Sequence, residues 1–210
     1  NAVDVNVVID SPSSFITITD NNENFGTILP DDIATAVDGY AFSVSDNIPD
    51  GHTIYFDVIA TDALDSTFVS HFSVVAHAPV LEMMNFVVND GDNGFLDPGE
   101  TADIEITLNN NGSSALSELT CALTSADSYI TIISGEAIIP EIAPGDNGLV
   151  VFTVSTDPLT PIGHTVNLQL DANSSNYSFT HNLNLSVGLS IEDFETNSFY
   201  AYPWTMDGNT

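Results

Sequence analysis

Twelve consecutive residues, Asn89-Asp90-Gly91-Asp92-Asn93-Gly94-Phe95-Leu96-Asp97-Pro98-Gly99-Glu100, gather four carboxylates and two carboxamides among three glycines and a proline. Hard cations suit such a stretch. Calcium takes six to eight oxygens at about 2.3–2.6 Å, and glycine lets the backbone bend sharply enough to add carbonyl oxygens to those of side chains. The candidate metal ligands are therefore Asn89, Asp90, Asp92, Asn93, Asp97 and Glu100, and the cofactor they imply is a structural Ca2+ ion. The spacing partly follows an EF-hand loop, with Asn89, Asn93, Gly94, Asp97 and Glu100 at positions 1, 5, 6, 9 and 12. It departs at position 3, where Gly91 stands, and the alternating run Ala102-Asp103-Ile104-Glu105-Ile106 follows in place of a helix. The spacing thus predicts a calcium loop between β-strands. The competing reading of the same residues is a solvated acidic turn.

Other reactive residues do not assemble into a catalytic pattern. His52 and His164 both follow a Pro-x-Gly turn at the start of an apolar run, which predicts a shared structural role. His71, His77 and His181 have no Cys or His partners at zinc-ligand spacing. The single cysteine, Cys121, lies within Leu119-Thr120-Cys121-Ala122-Leu123, a strand-like setting that predicts a buried thiol and not an activated nucleophile. Thirty acids make any carboxylate pair uninformative about glycosidase chemistry, and no Lys or Arg is present to hold a phosphate or an oxyanion. Tyr200, Tyr202 and Trp204 could form a sugar-binding platform, but the core of a further domain explains them better. The expectation is a chain that is not an enzyme.

The charge pattern narrows the partners. Zero Lys and Arg against 30 Asp and Glu leaves a formal charge of −30, with 14% of residues charged. Each carboxylate must be solvated, bonded to N–H or hydroxyl groups, or bound to a cation. Nucleic acid and anionic membrane surfaces, which are recognised by Lys and Arg, are disfavoured as partners. No run of eighteen apolar residues is present, so no membrane insertion by a helix is expected. A trypsin-like protease finds no cleavage site, which predicts protease resistance. The start at Asn1, without Met or a signal-like segment, reads as a processed or excised piece of a longer protein.

Strands must position these groups. Short alternating runs such as Val3-Asp4-Val5-Asn6-Val7, Phe15-Ile16-Thr17-Ile18-Thr19 and Thr53-Ile54-Tyr55-Phe56-Asp57-Val58 are broken by Asp, Asn, Gly and Pro, and no segment keeps a helical period. An all-β protein is predicted. Four matches in the same order then reveal an internal repeat: Ser11–Ile18 with Ser125–Ile132, Phe42–Ser45 with Phe152–Ser155, Pro49–Ile54 with Pro161–Val166, and Phe68–Val74 with Phe179–Leu185, offset by 114, 110, 112 and 111. The expected organisation is an incomplete module over residues 1–78, a complete module with the acidic loop over 79–188, and the opening strand of a third domain over 189–210. Leu81–Val88 and Ala102–Asn109 precede the part of the second module that matches residue 1, so the first module lacks two opening strands. Either upstream polypeptide or another chain would supply them.

The stretch Asp90–Glu100, its Gly-x-Leu-Asp-Pro-Gly-Glu core and the ending Leu108-Asn109-Asn110-Asn111-Gly112 resemble immunoglobulin-like β-sandwich modules of secreted Bacteroidota surface proteins, including the accessory regions of gingipain-type cysteine peptidases. Asp193-Phe194-Glu195 with Pro203-Trp204 and Asp207-Gly208-Asn209 is similar to the start of cleaved-adhesin or MAM-like jelly-roll domains. The resemblance implies tandem immunoglobulin-like (fibronectin III-like) sandwiches and an extracellular location at a bacterial cell surface. It also implies a calcium site at Asn89, Asp90, Asp92, Asn93, Asp97 and Glu100. The function expected is a calcium-rigidified stalk, spacer or adhesin module. Its partners are neighbouring domains or other copies of the chain, with a glycan or surface ligand as a further possibility. The alternatives are a fibre or pilus subunit completed by strand exchange, and the accessory region of a secreted cysteine peptidase.

Overall fold

A computed structural model of the 210-residue chain describes residues 1–188. The anticipated domain opening at 189–210, with Tyr200, Tyr202 and Trp204, lies outside the described residues. The fold is all-β. In chain order the strands are β1 Ala2–Asp10, β2 Ile16–Asp20, β3 Asn22–Ile28, β4 Ala41–Val44, β5 Thr53–Thr61, β6 Thr67–Val75 and β7 Leu81–Asn89. There follow β8 Thr101–Asn110, β9 Leu116–Thr124, β10 Ile130–Ser134, β11 Glu136–Ile142, β12 Asn147–Thr156, β13 Thr165–Ser174 and β14 Tyr177–Ser186.

Strands β7–β14 form two antiparallel sheets, ordered β10-β12-β8-β7 and β11-β9-β13-β14. Alternation of side chains across each strand builds a β-sandwich core. β8 buries Ala102, Ile104, Ile106 and Leu108, β12 buries Val150, Phe152 and Val154, and the opposite sheet answers with Leu119, Leu123, Val166, Leu168, Leu170 and Leu183. Asp103, Glu105 and Thr107 take the intervening positions on β8 and are only partly covered. The alternation read from the sequence is thus the alternation of core and solvent.

Strands β1–β6 repeat part of this plan. The order β3-β1-β5-β6 matches β11-β9-β13-β14, whereas β2 and β4 form a two-stranded sheet where β10 and β12 continue into β8 and β7. The duplication extends to backbone detail. Ser45 N–H bonds Phe15 O as Asp157 N–H bonds Tyr129 O; Gly51 N–H bonds Ala76 O as Gly163 N–H bonds Val187 O. Asp4 (φ 52°) and Glu118 (φ 50°) share a left-handed conformation that non-glycine residues rarely adopt. Asp4 sits where the register of β1 with β3 shifts, as in a β-bulge, whereas β9 keeps its register with β11 on both sides of Glu118.

One sequence match is corrected. Ile16 pairs with Val44, and Ile130 pairs with Thr156. Val44 therefore corresponds to Thr156, and Phe42 to Val154, two residues away from the match of Phe42 with Phe152. A two-residue slip leaves every side chain on its original face, so an alternating pattern does not detect it.

Completeness separates the two cores. The N-terminal cluster consists of buried Ile9, Ile48, Ile54 and Phe56 with partly covered neighbours, while the C-terminal cluster runs through all eight of its strands except at their outward positions.

Candidate functional site

The acidic loop joins β7 to β8 at one end of the C-terminal sandwich. Leu96 fastens it, because its side chain is fully buried and its backbone forms a parallel bridge with Val187. Gly188 N–H adds a 2.8 Å bond to Leu96 O. A single apolar residue amid acids thus pins the loop across both sheets.

Asp90 organises the half before Leu96. Its carboxylate accepts the N–H groups of Asp92 at 2.9 Å, Gly94 at 3.0 Å and Asn93 at 3.2 Å, folding the chain around one side chain. Gly91 and Gly94 supply the positive φ angles, 83° and 80°, that this tight path requires. Hydrogen bonds from these amides, that of Asp92 foremost, hold the Asp90 carboxyl below the usual carboxylate range. Asn93 Oδ1 accepts Phe95 N–H at 2.7 Å, and Asn93 Nδ2 donates to Asp97 Oδ2 at 3.0 Å.

Thr156 organises the second half from β12. Its hydroxyl donates to Asp97 O at 2.6 Å and accepts Gly99 N–H at 2.9 Å and Glu100 N–H at 3.2 Å. Glu100 Oε2 accepts Asp97 N–H at 2.9 Å, closing the turn before β8. The loop is therefore stitched by its own acids and by one threonine 56 residues beyond Glu100.

Of the six proposed ligands, the structure joins Asp90, Asn93, Asp97 and Glu100 in one hydrogen-bonded chain. Asn89 is directed elsewhere, its Nδ2 donating to Glu105 at 3.2 Å, and Asp92 enters the network through its amide. Among the described residues no three Asp, Glu, His or Cys side chains stand close enough to share a metal ion. Fit to a cation is thus partial. Asp90, Asn93 and Glu100 have side-chain oxygens engaged with backbone amides, and Asp97 Oδ2 accepts the Asn93 amide group.

His52, His164 and Cys121 are packed against neighbouring side chains. His52 packs edge-on against Phe15 with ring centroids 4.9 Å apart at 68°, and His164 repeats this against Tyr129 at 4.9 Å and 66°. His164 Nε2 also bonds Asp127 at 2.8 Å. Cys121 is buried in the sandwich core, and burial pushes its thiol up to about 11. Thiolate chemistry requires a shift in the opposite direction.

A second polar cluster fixes the connection between the modules. Asp50 accepts Ala78 N–H at 2.9 Å and the Ser113 hydroxyl, while His77 Nδ1 meets the same hydroxyl at 2.7 Å. The Ala78 amide first, and then the Ser113 hydroxyl, hold the Asp50 carboxyl below its ordinary range. The turn after β8 grips the connector from the other side: Ser113 N–H bonds Ala78 O at 3.1 Å and Asn111 N–H bonds Val80 O at 2.8 Å. Asn110, fully buried, accepts Val80 N–H and donates to Ser114 O and Ile142 O. At Gly112 a Cβ would collide with the Ala78 carbonyl oxygen and the Val80 nitrogen, so no other residue fits this close approach.

No family model and no curated protein matches the chain. Among solved structures, a protein of unknown function from Porphyromonas gingivalis W83 is similar at 17% identity and a TM-score of 0.32, covering 90% of this chain and 86% of that one. The sporulation control protein Spo0M from Bacillus subtilis is similar at 15% identity and a TM-score of 0.33, covering 52% of this chain and 49% of that one.

Sequence reasoning located the acidic loop but missed Thr156, Leu96 and the Asp50–Ser113 contact. Thr156 lies in an ordinary alternating strand, and Asp50 and Ser113 are 63 residues apart. Only the Asn110-Asn111-Gly112 sequence hinted at a tight turn there.

Proposed function

We propose that the chain is a non-catalytic spacer: tandem immunoglobulin-like sandwich modules that hold neighbouring domains of an extracellular, bacterial cell-surface protein at a fixed separation and angle. The observation that carries this reading is the connection between the modules. Flexible linkers leave domains free to reorient, whereas the chain from Ala76 to Val80 is bonded on both flanks, by Asp50 and by Asn110–Ser113. A connector with so few free backbone groups transmits orientation.

The acidic loop serves the same end in this reading. Calcium, when bound, would supply positive charge to a chain that has no Lys or Arg. Asp90, Asn93, Asp97 and Glu100 are the residues that would hold it, and they tie β7 to β8. Asn89 would have to leave Glu105 to join them, while Asp92 is tied to the loop through its backbone amide.

The test is relaxation-based NMR on the full chain. A spacer requires residues 2–75 and 81–186 to tumble with one correlation time, and Asp50→Ala together with Ser113→Ala to separate them. Independent tumbling of the unaltered chain would overturn the proposal. Calcium titration by calorimetry, with thermal melts in calcium and in chelator, addresses the loop separately.

A further inference from the structure

We propose that the end of the C-terminal sandwich carrying Leu159, Ile162 and Phe95 is a docking surface for the polypeptide that follows Gly188, met there by apolar side chains of residues 189–210. Resting on the spacer reading, this surface would form the junction on the far side of the module.

The first junction shows which positions of a module face the polypeptide that follows it. Asn47, Pro49 and Asp50, in the turn before β5, line one cleft with Pro79, Val80 and Tyr177. Asp50 there accepts the Ser113 hydroxyl and the Ala78 amide. The turn before β13 has the same backbone. Ile48 N–H bonds Ser45 O as Thr160 N–H bonds Asp157 O, and His52 N–H bonds Pro49 O as His164 N–H bonds Pro161 O. Leu159 therefore stands at the position of Asn47, and Ile162 at that of Asp50. Two polar junction residues are replaced by large aliphatic ones.

Their own module leaves both side chains open. Leu159 is 83% exposed and Ile162 66%, although β7–β14 form two paired four-stranded sheets around a full core. Phe95, 40% exposed, stands at the same end, next to the buried Leu96 whose carbonyl accepts Gly188 N–H. Removing such side chains from water favours association.

Chain path and composition select the occupant. The chain leaves the sandwich at this end: Gly188 N–H bonds Leu96 O at 2.8 Å, and a Cβ on Gly188 would lie 3.3 Å from Ile162 Cγ2. Residues 189–210 are thereby tethered beside the patch, at an effective concentration on the order of millimolar. They include Phe194, Phe199, Tyr200, Tyr202 and Trp204 but no Lys or Arg, so they offer apolar contact and no basic partner for a carboxylate. Ile162 in place of an acid suits that occupant. A second copy is disfavoured, because each chain carries −30 and a separate molecule has no tether.

The experiment adds a neutral, soluble paramagnetic chelate to the full chain and reads the relaxation of methyl groups by NMR. Ile138 is the reference, because its 69% exposure matches that of Ile162 and it lies on β11, outside the patch. The methyls of Ile162 and Leu159 are expected to relax several-fold less than those of Ile138 and to show nuclear Overhauser contacts to aromatic rings of residues 189–210. Ile162→Asp is expected to raise Leu159 to the relaxation of Ile138 and to abolish those contacts. Amide exchange in β8 and β12 reports that this variant is folded, and Leu159→Asp, read at Ile162, serves if it is not. Relaxation of Ile162 equal to that of Ile138, or protection without contacts to residues 189–210, would overturn the docking surface. Protection that disappears on dilution would overturn it in favour of a second copy. The tumbling of residues 2–75 against 81–186 is read separately, so failure at Ile162 is distinguishable from failure of the spacer reading.

Discussion

Replacing Thr156 by Val tests whether the acidic loop is held by the sandwich or merely adjoins it. The two side chains are nearly isosteric, so packing at this 6% exposed position changes little while the hydroxyl disappears. Three hydrogen bonds go with it, to Asp97 O, Gly99 N–H and Glu100 N–H. Glu100 N–H keeps a second acceptor, Asp97 O at 3.1 Å, and Asp97 O keeps that donor, so Gly99 N–H alone loses its partner outright. Gly99 is exposed as a residue, which lets water recover part of the loss. At roughly 0.5–1.5 kcal/mol net per bond, the cost comes to about 1–2 kcal/mol. In scanning calorimetry of the full chain, that corresponds to a fall of roughly 5–10 °C in the transition of the C-terminal sandwich. Hydrogen exchange in β8 and β12 identifies the transition. Thr156→Ser keeps the hydroxyl and is expected to lose less than half as much. A loss for Thr156→Val below about 0.5 kcal/mol, or an equal loss for Thr156→Ser, would refute the reasoning.

Asp97→Ala and Glu100→Ala are expected to lower the melting temperature more in calcium than in chelator; equal losses in both would leave the carboxylates a purely hydrogen-bonding role. Phe152→Ala, at a fully buried site, should cost about 3–5 kcal/mol, whereas Phe42→Ala, 40% exposed, should cost under about 1 kcal/mol in urea unfolding. Because the Asp50 carboxyl is lowered in the folded chain, its stabilisation of the connector is fully present above the ordinary carboxylate value and is lost as pH falls through the lowered one. Exchange at the Ala78 amide should accordingly accelerate in acid, and Asp50→Asn should remove that acid-dependent step. Stability should rise with salt as repulsion among 30 acids is screened; a salt-independent midpoint in urea would contradict the account of unpaired charge.

The sequence made the all-β class legible because alternation on strands such as Thr101–Asn110 is a direct record of which side faces the core. It made the duplication legible because turns such as Pro49-Asp50-Gly51-His52 and Pro161-Ile162-Gly163-His164 constrain backbone as well as side chain. The match of Phe42 with Phe152 failed for the same physical reason that the others succeeded: residues two apart on a strand share a face, and pairing with β2 chooses between them only in three dimensions. In the acidic loop, the residue types announced an oxygen-rich turn, but which oxygens remain for a cation depends on amides that Asp90 and Glu100 already engage.

Composition by itself determined that no carboxylate finds a Lys or Arg within the chain, and periodicity by itself determined strands, since both follow from local chemistry. The tertiary structure decided what long-range pairing alone can bring together: Thr156 beneath the acidic loop, Ser113 against Asp50, and β8 beside β12 with no equivalent beside β4 among the described residues. Such contacts join residues tens of positions apart, and no local pattern encodes them, because a hydrogen bond depends on where the sheets carry its two ends.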